Sequence, residues 1–128
     1  MAKTPDAPCP CGRAAYAACC RPLHLGEPAA DAELLMRSRY SAYVLGLTDY
    51  LLATWHPSTR PATLDLAEEP QPKWLGLEVK RRQTTGPDGA RVEFVARYRV
   101  GGRGQRLHEK SYFLREAGRW HYVDGDIL

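Results

Sequence analysis

All the cysteines of the chain fall within twelve residues: Cys9, Cys11, Cys19 and Cys20, in the string Cys-Pro-Cys-Gly-Arg-Ala-Ala-Tyr-Ala-Ala-Cys-Cys. Two close pairs across a short loop, in a compartment that keeps thiols reduced, read as metal ligands rather than disulfides. The adjacent Cys19 and Cys20 would pair with each other only as a strained vicinal disulfide. Four thiolates converging from two short segments suit tetrahedral zinc, and Gly12 lets the backbone turn sharply after the first pair. Such an ion has no open position for water or substrate, so its role would be structural or recognitional. The competing reading is a set of reduced, unliganded thiols on a tail, but no apolar run surrounds them to bury them.

The remaining chemistry is more dispersed. His56 follows Trp55 at the end of a short apolar helical stretch, and Asp49 lies seven residues earlier, about two helical turns away. A histidine there can serve as a base with a pKa near neutrality. The preferred reading is a helix-ending residue whose ring bonds the last carbonyls, because Pro57 requires the helix to stop. Arg37 and Arg39 are two positions apart, so at most one easily faces inward, where a carboxylate such as Glu93, Glu109 or Asp124 would pair with it. From the polar candidates, which also include His108, a pocket set of Arg37, Tyr40, Asp49, Trp55, His56, Arg97 and Tyr112 is drawn. No Gly-x-Ser-x-Gly nucleophile motif occurs, and Gly101-Gly-Arg-Gly104 lacks the strand-to-helix context of a phosphate loop.

The elements that must position these residues follow from pattern. A chain of 128 residues accommodates one core and one small appendage. With 44% hydrophobic and 26% charged residues it is neither a disordered tail nor a disulfide scaffold. No apolar run is long enough to span a membrane and no secretory h-region follows Met1, so a cytoplasmic protein is expected. A net charge of +3, scattered along the chain, does not mark a nucleic-acid binder. The proline- and glycine-bearing stretch 21–30 reads as a connector, with a zinc-binding segment at 1–27, a second unit at 28–128, and few core contacts crossing between them. Asp31 offers an N-cap for a helix carrying Met36, Tyr40, Tyr43, Val44 and Leu47 at helical spacing. Gly46 interrupts it, Thr48 or Asp49 caps anew, and a second short helix runs to Trp55. After a loop over 58–73, alternation predicts strands at 74–82, 90–100, 105–115 and 119–124. In the second strand Val92, Phe94, Ala96, Tyr98 and Val100 share one face. The outer face presents Glu93, Val95, Arg97 and Arg99, then Arg106, His108, Lys110 and Tyr112. Helices followed by an antiparallel meander make an α+β domain with the helices laid across a curved sheet. The run Lys80-Arg81-Arg82 is too short to be a nucleic-acid signature.

The cysteine string with its intervening Tyr16 resembles the SEC-C zinc-binding motif, of the kind found at the C-terminus of the SecA translocation ATPase. The segments Leu35-Met-Arg-Ser-Arg-Tyr-Ser-Ala-Tyr43, Trp55-His-Pro57, Trp74-Leu-Gly-Leu77, Phe94-Val-Ala-Arg-Tyr98, Glu109-Lys-Ser-Tyr-Phe113 and Trp120-His-Tyr-Val-Asp-Gly125 resemble the bacterial YchJ-like family. The resemblance implies a cone-shaped NTF2-like (cystatin-like) domain preceded by the zinc motif; it implies no reaction. SEC-C motifs usually place eight residues between the second and third cysteines, whereas this chain has seven. The expected function is a non-catalytic binding module, its zinc knuckle docking a protein partner and its cone either contributing packing or holding a small ligand. The alternatives are a small-molecule enzyme using His56 with a carboxylate, and an RNA- or ribosome-associated factor using the basic sheet face, whose binding would weaken steeply with salt.

Overall fold

A computed structural model describes residues 7–67 and 70–128. Local backbone bonds curl the cysteine-bearing segment on itself: Cys9 N–H donates to Ala14 O, Gly12 N–H to Cys9 O, and Tyr16 N–H to Ala7 O. Gly12 takes the left-handed backbone (φ 87°) that this reversal needs. A 3-10 turn over Tyr16–Ala18 leads into the short helix α1, Cys20–His24.

Asp31 starts the long helix α2, Ala32–Leu45, as the sequence predicts: its Oδ1 accepts from Leu34 N–H at 2.8 Å, and Glu33 occupies the first turn. Gly46, left-handed at φ 75°, ends it. Helix α3, Thr48–Ala53, starts from Leu47, which provides no side-chain cap, so Thr48 and Asp49 lie within its first turn instead of capping it. α3 also stops short of Trp55. Thr54 Oγ1 bonds back to Tyr50 O, and Trp55 leaves the helix to form a parallel bridge with Tyr122.

Four strands follow in an antiparallel meander: β1 Lys73–Gly86, β2 Gly89–Val100, β3 Arg103–Glu116 and β4 Arg119–Ile127, ordered β1-β2-β3-β4. The β2–β3 turn is Gly101-Gly102, both at positive φ, and the β3–β4 turn is Ala117-Gly118, both also at positive φ, which suits two-residue hairpins. β2 and β3 pair without a slip from Gly89↔Leu114 to Val100↔Arg103. β1 instead carries three bulges against β2, at Leu75, Lys80 and Thr85, which bend this outermost strand. The strands run longer than alternation alone suggests, because the polar ends of each hairpin continue the ladder.

The concave face packs on α2. Val92, Phe94 and Ala96 of β2, Phe113 of β3 and Trp120 of β4 form one buried cluster with Leu35, Met36 and Tyr40. The same cluster includes Cys9, Cys11 and Cys20, so the cysteine segment shares the core of the rest of the chain, and the expectation of few contacts across the connector gives way. The reason is α2, whose far side carries Arg37, Ser38 and Ser41 toward residues 9–24: Arg37 Nη1 donates to Cys11 O, and His24 Nε2–H to Ser38 O. No helix among the described residues is long and apolar enough to cross a membrane.

Candidate functional site

The four cysteine Sγ atoms all lie within 4.8 Å of one another. A tetrahedron with metal–sulfur bonds of about 2.3 Å has sulfurs about 3.8 Å apart. Here Cys11 and Cys19 are separated by 3.5 Å and Cys19 and Cys20 by 3.9 Å. The seven-residue spacing therefore still brings all four sulfurs to one point, and the set can hold a metal ion. Electrostatics agree with that chemistry. A thiol hydrogen bond from Cys20, supported by the Arg13 backbone and by Cys19 and Cys9, holds Cys11 down to about 4 against its burial. The same charged sulfur pushes Cys20 far above the ordinary thiol range, and burial together with Cys11 pushes Cys19 up to about 11. The Cys11 thiolate forms readily, and Cys19 and Cys20 resist joining it unless a cation sits among them. Ser41 braces the centre from α2, its hydroxyl 3.5 Å from Cys9 Sγ and donating to Cys20 Sγ at 3.4 Å.

On its other side, α2 and the sheet enclose a cavity of about 310 Å³. Tyr40, Trp55, Trp74, Phe94, Phe113 and Tyr122 give it aromatic walls. Arg39 projects into this apolar setting while only 5% exposed. Its Nη1 donates to Leu51 O at 2.8 Å and to Thr54 Oγ1 at 2.7 Å, tying down the end of α3. The guanidinium lies between two rings, 5.0 Å from the Trp55 centroid and 4.7 Å from that of Tyr122. Burial lowers its pKa, opposed by Tyr43, Tyr122, Tyr50 and Glu109, yet arginine remains charged in such settings. Among the described residues no carboxylate forms an ion pair with it. Glu109 also lines the cavity, its Oε2 accepting from Ser111 Oγ at 2.6 Å and from Tyr122 Oη at 3.4 Å. Burial, then the Glu109 charge, pushes the Tyr122 phenol well above its ordinary range.

Of the seven pocket residues drawn from the sequence, the structure places Tyr40 and Trp55 in this cavity and the other five elsewhere. Arg37 pairs with Glu33 at 2.8 Å on the cysteine side of α2, because two helical positions rotate it away from Arg39. Asp49 is exposed in the first turn of α3. His56 lies beyond α3, outside the cavity: its Nδ1 accepts from Ser58 N–H and its Nε2 lies 3.0 Å from Glu116 Oε2. The preferred helix-ending role is also corrected, since its ring bonds no carbonyl of α3 and its own N–H donates to Tyr122 O across the bridge to β4. Arg97 and Tyr112 sit on the convex sheet face, with Glu78 and Asp126 respectively. Arg39 and Glu109, polar candidates outside the pocket set, are the two charged residues that line the cavity. The sequence signal was present. Arg39 falls in the helical stripe of Met36, Tyr40 and Tyr43, and Glu109 alternates with the outward His108 and Lys110.

A family model described as "YchJ, middle NTF2-like domain" matches residues 31–125. The chain belongs to the YchJ-like family. Curated relatives of it agree over nearly their whole length. A UPF0225 protein of Methylibium petroleiphilum is 58% identical over 130 residues, covering 98% of this chain and 93% of that one. Another, from Xanthomonas campestris, is 59% identical over 123 residues, covering 94% and 95%. Among solved structures, a SEC-C motif containing protein of Rhodopseudomonas palustris superposes with a TM-score of 0.82 at 36% identity, covering 94% of this chain and 98% of that one. One from Psychrobacter arcticus gives 0.77 at 29%, covering 95% and 83%. The chain thus carries an NTF2-like α+β domain over residues 31–125, and its likeness to the two SEC-C motif containing proteins extends over nearly the whole chain.

Proposed function

We propose that the protein is a non-catalytic binding module of the cytoplasm, stabilised by one zinc ion on Cys9, Cys11, Cys19 and Cys20. In this reading the knuckle docks a protein partner and the cone holds a small molecule. The observation that carries it is the convergence of four sulfurs into one cluster with no fifth protein donor needed to close it. Zinc suits an all-sulfur tetrahedral set better than the hard divalent cations do, and a compartment that keeps thiols reduced preserves the ligands. Leu25, 72% exposed just after α1, supplies apolar surface beside the knuckle for a protein contact. The displacement of His56 from the cavity favours the module over the enzyme that would use it as a base. On the convex face Arg97 is engaged by Glu78 and His108 by Glu93, which favours a solvated surface over a nucleic-acid interface.

The test is elemental analysis of the full chain purified without chelator. About one zinc per chain is expected, and less than half of that in Cys11→Ser. A stoichiometry near zero in the unaltered chain removes zinc from the reading.

A further inference from the structure

Arg39 is more than the last turn of α3 requires. Its Nη1 alone bonds Leu51 O and Thr54 Oγ1, a task a neutral donor would perform as well. What remains is the edge formed by Nε and Nη2, the two-donor fork that matches a carboxylate. A buried cation with no paired carboxylate is costly to fold, and ring faces compensate only part of that cost. Tyr43 lines the same cavity, and its phenol O–H can turn to the same anion. Glu109 is held differently. Ser111 and Tyr122 both donate to its Oε2, while Oε1 receives no hydrogen bond from the described residues. A bare anion would meet the charge of Glu109 as well as that of Arg39, so a donor group on the ligand is needed to face the carboxylate. The volume, about 310 Å³, lies at the low end of the roughly 300–1,000 Å³ of ligand sites, and the walls are rings.

We infer that the cavity binds a small aromatic carboxylic acid whose carboxylate meets Arg39 and whose hydroxyl or amino group donates to Glu109. This rests on the reading above that the cone holds a small molecule, and adds the chemical class of that molecule. The aromatic body stacks among Trp74, Phe94 and Phe113.

The test uses the full, metal-loaded chain and calorimetric titration with three probes of one skeleton. These are 3-(4-hydroxyphenyl)propanoate, the neutral 3-(4-hydroxyphenyl)propan-1-ol, and 3-phenylpropanoate, which lacks the hydroxyl. The hydroxylated acid should bind tenfold or more tighter than the alcohol and severalfold tighter than 3-phenylpropanoate. Arg39→Met should abolish the first preference and Glu109→Gln should reduce the second. Because Arg39 also secures α3, its variant has to melt cooperatively to count. If it does not, the comparison of acid with alcohol on the unaltered chain decides alone. An alcohol that binds as tightly as the acid overturns the inference and leaves a ligand-holding cone intact. If none of the three binds at millimolar concentration, the inference and the ligand-holding role of the cone both fall, and the zinc reading is judged separately by metal content.

Discussion

Ser41 stands between two sulfurs without being a ligand. Fully buried on α2, its hydroxyl touches Cys9 Sγ and donates to Cys20 Sγ, a contact that stabilises thiolate charge and fixes where the sulfurs point. If zinc occupies the cluster as proposed, Ser41→Ala should accelerate its transfer to a competing chelator by about 10- to 100-fold, the usual cost of losing such a support, with little change in circular dichroism. His24 makes a second prediction. Its Nε2–H donates to Ser38 O at 2.8 Å, so Nδ1 accepts from Tyr16 Oη, and burial holds the ring below the ordinary histidine pKa of about 6.5. The unfolded chain therefore binds the proton more readily than the folded one. The stability contributed by the neutral ring is present above about pH 6.5 and is lost as pH falls through the depressed folded value. Between pH 7.5 and 5.5, with zinc in excess, the melting temperature of the natural chain should fall further than that of His24→Gln; equal slopes would show that folding leaves the proton affinity of His24 unchanged. At this scale the sequence reads unevenly. The cysteines are legible because their convergence is local. Strand alternation puts Arg97 and Tyr112 on the outer face, against their place in the pocket set, and separating Arg39 from Arg37 takes the phase of the α2 stripe carried through residue by residue.

Strand β4 shows why a glycine stands at 125. Gly125 pairs with Ser111, and a Cβ there would overlap the Glu109 carboxylate, with Glu109 Cγ only 3.0 Å away. Since the Cγ as well as the carboxylate would have to move, Gly125→Ala should displace Glu109 from Ser111 and Tyr122 and destabilise the fold by about 1–3 kcal/mol, as overpacking does. Thermal melting checks the cost; a variant as stable as the parent would show that Glu109 has room to spare. The elements themselves were mostly readable: Asp31 and Gly46 bracket α2 as their chemistry dictates, and the glycine-bearing turns separate the strands. The end of α3 was not, because the Trp55 bridge to Tyr122 depends on a strand 67 residues later, and no local rule signals it.

At the scale of the whole molecule, α2 is a partition with the cysteine cluster on one side and a cavity on the other. A composition shift suggests a boundary at the connector, but residues brought together from opposite ends of the helix's circumference decide the packing, and that lies beyond pattern. The run Lys80-Arg81-Arg82 also gains a meaning from position. It lies on β1, which among the described residues pairs in the sheet with β2 alone and whose bulge at Lys80 breaks the regular spacing of its other side. A flat strand there would offer open backbone groups to the same strand of another copy; Lys80 and Arg82 are engaged by Glu78 and Glu33, which leaves the Arg81 charge and the kink to make that copy repel and misalign. The expected role of the run is to discourage pairing of β1 with the same strand of another copy. Lys80→Val together with Arg81→Val should leave the melting temperature nearly unchanged while light scattering shows concentration-dependent association. A doubly substituted chain that stays monodisperse at the parent's highest concentration would mean that the bulges alone keep neighbouring copies apart.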